Sequence, residues 1–298
     1  MRFLAILNRG GGTLRTTDLD AFSARMRDTL EAAGHSLDIS IVDGKDLIDA
    51  LKGAASDDAR DVVLVGGGDG TISAAASCLM DTGKVLAVLP AGTMNLFARS
   101  LQMPLDLDSA IAAFATGKIR EVDVATANGR AFVHQYSVGM HAKLVKMREQ
   151  MDFASRLGKI RASMRAAVGT MLNPPSMRVH MEIDGTVLKA RASGIGITNN
   201  LFGEGHLPYA DKPDGGRLGV YITTASRLPE LISFFLNMLV GRWRANAHVE
   251  IHSAEDVVLK FSRLHKRHRC VIDGELCEIE RETAFRIHPK SLRVLVPS

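Results

Sequence analysis

The feature that most limits what this chain can fold into is a run of four apolar residues at 62–65, passing without a break into Gly66-Gly67-Gly68-Asp69-Gly70-Thr71. A short apolar run closed by glycine is a strand buried on both faces, which is the habit of parallel sheets. The unit recurs. Residues 3–7 end in Asn8-Arg9-Gly10-Gly11-Gly12, residues 37–42 form another strand, and residues 85–89 stop at Pro90. Helical periodicity fills the gaps. Leu19, Phe22, Met26 and Leu30 repeat behind Asp18 as N-cap with Gly34 just past the end, and further helices are expected over 45–55 and from the glycine loop to about Asp81. Strands alternating with helices predict an α/β fold with a doubly wound sheet.

The pattern changes after Gly117. Asn128-Gly129 separates strand-like runs at 122–127 and 131–138, and Asp184-Gly185 separates 177–183 from 187–197. Both dipeptides are two-residue hairpin signals. Further strands are expected at 218–223, 248–252, 257–261, 270–272 and 292–296, with helices at about 142–172 and 229–241. The second half is therefore mainly antiparallel, with a boundary near residue 124. Two domains also suit 298 residues at roughly 150 per domain.

Composition narrows the class. The chain is 46% hydrophobic and 23% charged, which excludes a disordered or collagen-like polymer. Cys78, Cys270 and Cys277 contain no CxxC pair, so neither a zinc cage nor a disulfide framework is expected, and reduced thiols of a cytoplasm fit. The first apolar run is too short for a signal peptide and reads as a buried strand. Seven Lys/Arg between Lys143 and Arg165 oppose only Glu149 and Asp152, a local +5 in a chain of net +4. A second basic run spans 263–269. Such runs are either solvated surface or a face for an anionic partner, and composition does not choose. Aromatic residues make up only 5% and no reader motif occurs, which argues against nucleic acid.

Three loops, at 8–12, 66–71 and 91–95, end strands of the first half and converge at the carboxyl edge of the sheet, where ligands of doubly wound folds bind. Glycines admit a phosphate to the backbone, and a helix N-terminus behind them offers free N–H donors. Asp69 would repel a bare phosphate, so its place in such a loop points to an intervening cation, with Mg²⁺ the usual choice. Thr93 and Asn95 would add neutral hydrogen bonds to a nucleotide. A tight strand-to-helix turn capped by Asp69 is the plainer alternative. By residues alone, Asp273-Gly274 reads as a hairpin turn that Glu275 merely flanks.

Gly67-Gly68-Asp69-Gly70-Thr71, then Pro90-Ala91-Gly92-Thr93-Met94-Asn95-Leu96-Phe97-Ala98-Arg99, the opening Asn8 loop, Val271-Ile272-Asp273-Gly274-Glu275 and Pro289-Lys290-Ser291-Leu292-Arg293-Val294-Leu295-Val296-Pro297 together resemble the diacylglycerol kinase catalytic-domain family, which includes sphingosine and ceramide kinases. The resemblance runs the length of the chain in order. It implies a nucleotide-binding α/β domain over 1–124, rejoined by the tail 289–298, and a β-sandwich lipid domain over 125–288. It also implies ATP and Mg²⁺ as cofactors and transfer of the γ-phosphoryl group to the hydroxyl of diacylglycerol or a related lipid. Carried over residue by residue, Asp69 serves Mg-ATP, while Asn8, Gly67, Gly68, Gly70, Thr71, Gly92, Thr93 and Asn95 line the nucleotide site. Glu275 is the general base, and Asp69→Ala is expected to abolish transfer with the fold intact.

Two departures stand out. Leu96 replaces a frequent Asp, and Gly215 falls where a second Asp of a structural Mg²⁺ site would stand, leaving Asp214 as a remnant metal ligand. These motivate a second reading, a nucleotide- or lipid-binding module without catalysis; an NAD kinase relative is a third. Leu157, Ile160, Met164 and Val168 on one helical face, with Arg156, Lys159, Arg161 and Arg165 elsewhere, suit either an interfacial helix on anionic lipid or a core helix with a basic outer side. Residues 231–240, apolar nearly all round, read more readily as a buried helix than as an acyl-chain pocket. The expected setting is cytoplasmic and peripheral to the inner membrane face, with the lipid substrate as partner and a homodimer kept open.

Overall fold

In a computed structural model, the structure describes residues 1–149, 174–205, 207–263 and 268–298, with the side chains of 147–149 left aside. The interfacial-helix positions 156–168, and most of the second basic run, lie outside the described residues.

The first half builds the parallel layer. Strands β1 (Arg2–Asn8), β2 (Ser36–Val42), β3 (Val62–Gly67) and β4 (Val85–Pro90) pair in the order β2-β1-β3-β4, all parallel. Every residue of β3 and β4 is buried, because helices cover them: α1 (Leu19–Ala32) packs with α5 (Leu107–Ala115), and α2 (Leu47–Ser56) with α3 (Asp69–Leu79). Asp18 does cap α1, accepting from the backbone of Asp20 and Ala21. A one-turn helix, α4 (Leu96–Ser100), lies between β4 and α5.

The second half is the antiparallel sandwich. Its strands are β5 (Lys118–Ala127), β6 (Arg130–Phe132), β7 (Gln135–Gly139), β8 (Met177–Ile183), β9 (Thr186–Ala192), β10 (Gly194–Thr198), β11 (Leu218–Thr223), β12 (Val249–Ala254), β13 (Asp256–Phe261), β14 (Arg269–Ile272), β15 (Glu275–Glu278) and β16 (Glu282–Val296). Among the described residues two helices interrupt it, α6 (Met140–Glu149) and α7 (Leu228–Leu239). Among the described residues one sheet runs β12-β11-β10-β7-β14-β15. The other is continuous with the parallel layer: β4-β16-β13-β8-β9, with β5 on β16 and β6 on β5. Residues 293–295 of β16 pair in parallel with 85–87, and the expected boundary at 124 falls inside β5. Along β16 the burial alternates while the strand belongs to the sandwich, then becomes continuous at 294–296 inside the parallel layer.

Three Asx-Gly turns form as their dipeptides demand. Asn128-Gly129, Asp184-Gly185 and Asp273-Gly274 all have positive φ at both residues, the type I′ signature. Two expected strands are split, however. The run 131–138 breaks into β6 and β7, and 187–197 into β9 and β10, each piece joining a different sheet. At the second break Ser193 is fully buried, its N–H and hydroxyl both donating to the carbonyl of Thr223.

At the first break sits His134, buried and stacked on Phe202 with ring centroids 4.9 Å apart. Burial, and to a lesser extent the charge of His141, push it down from 6.5 to about 3. Between those values the unfolded chain takes up a proton that the fold refuses. The stability attached to the neutral ring is therefore complete above pH 6.5 and lost as pH falls. At pH 5 the loss is about 2 kcal/mol. Urea denaturation at pH 7 and pH 5 should show that loss in the wild type and a clearly smaller one in His134→Gln; equal losses would contradict the assignment.

Candidate active site

The three glycine loops do meet at the carboxyl ends of β1, β3 and β4, and at their glycines the contacts are backbone on backbone. A Cβ on Gly11 would lie 3.1 Å from the Gly67 Cα, and one on Gly92 would lie 2.8 Å from the Gly68 Cα. Gly12, with φ +46°, is pressed against the Ala91 carbonyl, which accepts from the Thr13 N–H at 2.7 Å. These glycines first let the loops pack together. A Cβ on Gly68, by contrast, would meet only the Gly92 Cα at 3.8 Å, and one on Gly10 only the Asn8 side chain at 3.5 Å. Those two faces are where another group can come close.

The polar side chains of the loops are largely engaged with one another. Asn8 donates from Nδ2 to Thr71 Oγ1 at 3.0 Å and accepts the Gly10 N–H on Oδ1. Asn95, with φ +51°, accepts the Gly92 N–H and donates to the Gly92 carbonyl, closing its own turn. In the fold Asn95 and Thr71, which the resemblance places at a nucleotide, brace the loops. Thr93 stands exposed at the tip.

Asp69 opens α3 behind Gly68, and no side chain caps that helix end. Its carboxylate accepts the Asn95 N–H on Oδ2 at 3.1 Å and the Leu96 N–H on Oδ1 at 2.7 Å. The residue thus fastens the second loop to the third while leaving one lone pair on each oxygen. The first-turn N–H groups of α3 and the positive end of its dipole face the same edge.

The hairpin β14–β15 brings Glu275 to this edge. Its Oε1 would lie 3.0 Å from a Cβ on Gly70, so the carboxylate hangs over the first turn of α3. Arg130 pairs with Glu275 Oε2 at 2.9 Å; both side chains are half exposed, so the pair orients more than it stabilises. The turn is held by Asp273, a group that reading the sequence treated only as a turn residue. Buried within the fold, its carboxylate accepts three backbone N–H groups, from Val133 (2.8 Å), His134 (2.9 Å) and Gln135 (2.8 Å), with a further side-chain hydrogen bond from Ser73 of α3. Burial raises its pKa, and the N–H donors oppose the rise. The Asp-Gly pair signalled a turn; what it could not signal is that the side chain reaches the crossing between β6 and β7.

A cavity of about 320 Å³ opens between the β7–β10–β11 sheet and helices α6 and α7. Its walls are mostly apolar, including Phe202, Tyr221, Phe234, Phe235 and Met238. Gln135, Ser137 and His141 add polar groups, with Ser137 Oγ and His141 Nδ1 2.6 Å apart. Gln135 exchanges two backbone hydrogen bonds with Asp273, one to its carboxylate and one from its N–H. This polar part of the wall is thus tied to the turn that carries Glu275.

Comparison with known proteins follows the same division. Residues 2–127 match the model of the diacylglycerol kinase catalytic domain, and residues 135–296 match that of the YegS C-terminal NAD kinase beta sandwich-like domain. The chain belongs to the diacylglycerol kinase catalytic-domain family. A diacylglycerol kinase of Bacillus subtilis is 27% identical over 72% of this chain and 71% of its own length; one from Staphylococcus saprophyticus is 26% identical over 64% and 63%. An uncharacterized protein of Synechocystis sp. is 26% identical over 96% of this chain and 67% of its own length. The crystal structure of a diacylglycerol kinase from Bacillus anthracis covers 100% of this chain and 97% of its own with a TM-score of 0.74 at 18% identity, a likeness of fold.

As a member of this kinase family, the chain implies ATP, and the uncapped α3 N-terminus with the open faces of Gly10 and Gly68 fits a polyphosphate. Among the described residues no three His, Cys, Asp or Glu gather around a point. A Mg²⁺ carried with a nucleotide takes one or two carboxylates, the rest being phosphate oxygens and water, and Asp69 fits that need. Asp214 does not extend it. Arg120 lies 2.7 Å from its Oδ1 and pulls its carboxyl below the usual range, so a guanidinium holds the position expected for an ion. At Gly215 a Cβ would come within 2.9 Å of Asn200 Oδ1, leaving little room for the missing Asp.

Two stability predictions follow from the carboxylates. Asp69→Ala strands two backbone N–H groups and should cost about 1–3 kcal/mol in urea denaturation, so the fold is not left untouched. Asp273→Ala strands three and should cost more, about 3 kcal/mol or above. Wild-type unfolding midpoints in these variants would contradict both roles.

Proposed function

We propose that the protein is an ATP- and Mg²⁺-dependent lipid kinase that phosphorylates the hydroxyl of diacylglycerol or a related lipid, working peripherally at the cytoplasmic membrane face. The observation that carries this reading is the linkage of three things through the Asp273–Glu275 turn: a phosphate-type helix N-terminus, an unburied carboxylate above it, and an apolar cavity whose wall residue Gln135 is hydrogen-bonded to Asp273. A phosphate acceptor with a long apolar portion uses all three.

The chemistry asks mainly for positioning and charge neutralisation. Glu275 takes the proton of the acceptor hydroxyl as its oxygen bonds to the γ-phosphorus, and the bond from that phosphorus to the β–γ bridging oxygen breaks to release ADP. Asp69 would hold the Mg²⁺, which supplies charge neutralisation at the phosphates. The N–H groups of the α3 first turn and the glycine faces orient the phosphates, and Gln135, Ser137 and His141 orient the polar end of the acceptor. The names of the relatives support the reading, although the Staphylococcus match spans under two thirds of that relative's length.

A panel of hydroxyl-bearing lipids with labelled ATP, scored by mass spectrometry for the added phosphate, tests the proposal. Turnover of at least one lipid is expected; nucleotide and lipid retained with no phospholipid formed would favour a binding module instead. Glu275→Gln should lower kcat by about 10²–10⁴ with little change in KM, and undiminished kcat would remove Glu275 from the role of base.

A further inference from the structure

Helix α7 is apolar on more of its circumference than the fold covers. Leu231 and Phe234 are buried, and Phe234, Phe235 and Met238 line the cavity. The buried-helix expectation fails on the other side. Leu228 is 43% exposed, Ile232 43%, Leu236 58% and Leu239 72%, with Val240 61% just beyond the end. On a helix turning roughly 100° per residue, the first four fall within an arc of about 80°. That arc adjoins the cavity-lining face, so one unbroken apolar surface runs from the cavity wall to the outside of the protein. Among the described residues, the remaining large exposed apolar side chains, such as Ile48, Ile119 and Val187, lie on separate elements. A contiguous exposed patch marks an interaction site, whereas scattered residues do not.

Charge selects the occupant. The single acid of the helix, Glu230, turns back to accept the N–H groups of Ser226 and Arg227, which lowers its pKa. Arg227 before the helix and Arg242 after it are both exposed. An apolar stripe bracketed by cations matches the interfacial layer of a bilayer containing anionic lipid.

We infer that the outer face of α7 docks on an anionic phospholipid surface, inserting Leu236, Leu239 and Val240 and presenting the cavity to the bilayer. This rests on the lipid-kinase reading for its purpose, but its geometry stands without it. A substrate with acyl chains then moves from the bilayer to the cavity along apolar surface, with no passage through water.

The test is co-sedimentation of the full chain with vesicles of phosphatidylcholine and phosphatidylglycerol in equal parts, and with phosphatidylcholine alone. Leu236→Glu/Leu239→Glu lies outside the cavity wall, and its melting curve checks the fold. The double variant should lose about tenfold or more in partition to the mixed vesicles, and Arg227→Gln/Arg242→Gln should lose the preference for phosphatidylglycerol. Phosphorylation of a short-chain diacylglycerol dissolved as monomer should stay at the wild-type level in the leucine variant. Undiminished vesicle binding by that variant overturns the proposal, as does sedimentation showing a wild-type dimer that the variant splits without change in vesicle binding. If the wild type phosphorylates no lipid in any form while the variant still loses vesicle binding, the kinase reading fails and the docking surface stands.

Discussion

The carboxylate of Asp273 is the contact on which the site depends. Three consecutive backbone N–H groups, at residues 133–135, point at it from a segment where the chain leaves one sheet of the sandwich for the other. A buried segment that changes sheets cannot satisfy those donors from a strand ladder, and unsatisfied buried donors are costly. Supplying the acceptor from the β14–β15 turn solves the crossing and fixes the turn together. Glu275, two residues on, inherits its position from that solution, as does Gln135 on the cavity wall.

The phosphate-type edge follows a related logic. Glycine-rich loops are entropically expensive, and here part of that cost is offset by close backbone packing among three loops and by Asp69 joining two of them. Asn8, Thr71 and Asn95 serve the same bracing. The open backbone faces are few and specific, at Gly10 and Gly68, so rigidity and access are divided between neighbouring glycines within a single loop.

Much of this was legible in the residues. The apolar strands, the Asp18 cap and the three Asx-Gly turns follow from local rules, and the ordered glycine motifs brought the loops to one edge. The split of 131–138 was not legible, because no glycine or proline near His134 marks the change of sheet, and in 187–197 Gly194 marks the break only as a single glycine within a strand-like run. What breaks those strands is hydrogen bonding to residues far along the chain, Asp273 in one case and Thr223 in the other. Asp214 failed for the same kind of reason: its neighbour in space, Arg120, is distant in sequence. Helix α7 misled differently, since a segment apolar all round reads as buried, and only the fold tells that Leu236 and Leu239 on one side stand exposed.

Strand β16 has a mechanical consequence. It runs fifteen residues from the sandwich into the parallel layer, flanked by β5 for most of that length. Hinged kinases need a few residues that absorb a change in backbone angles. The one irregularity here is the register shift between His288 and Leu292, where Lys290 has φ +55°. Asp123, wholly buried on β5, clamps that irregularity by accepting the Lys290 N–H at 2.9 Å, and accepts the Gly216 N–H at 2.7 Å on its other oxygen. The two halves therefore share a continuous spine of β5 and β16, and its single break in register is bridged by a buried carboxylate rather than left to solvent.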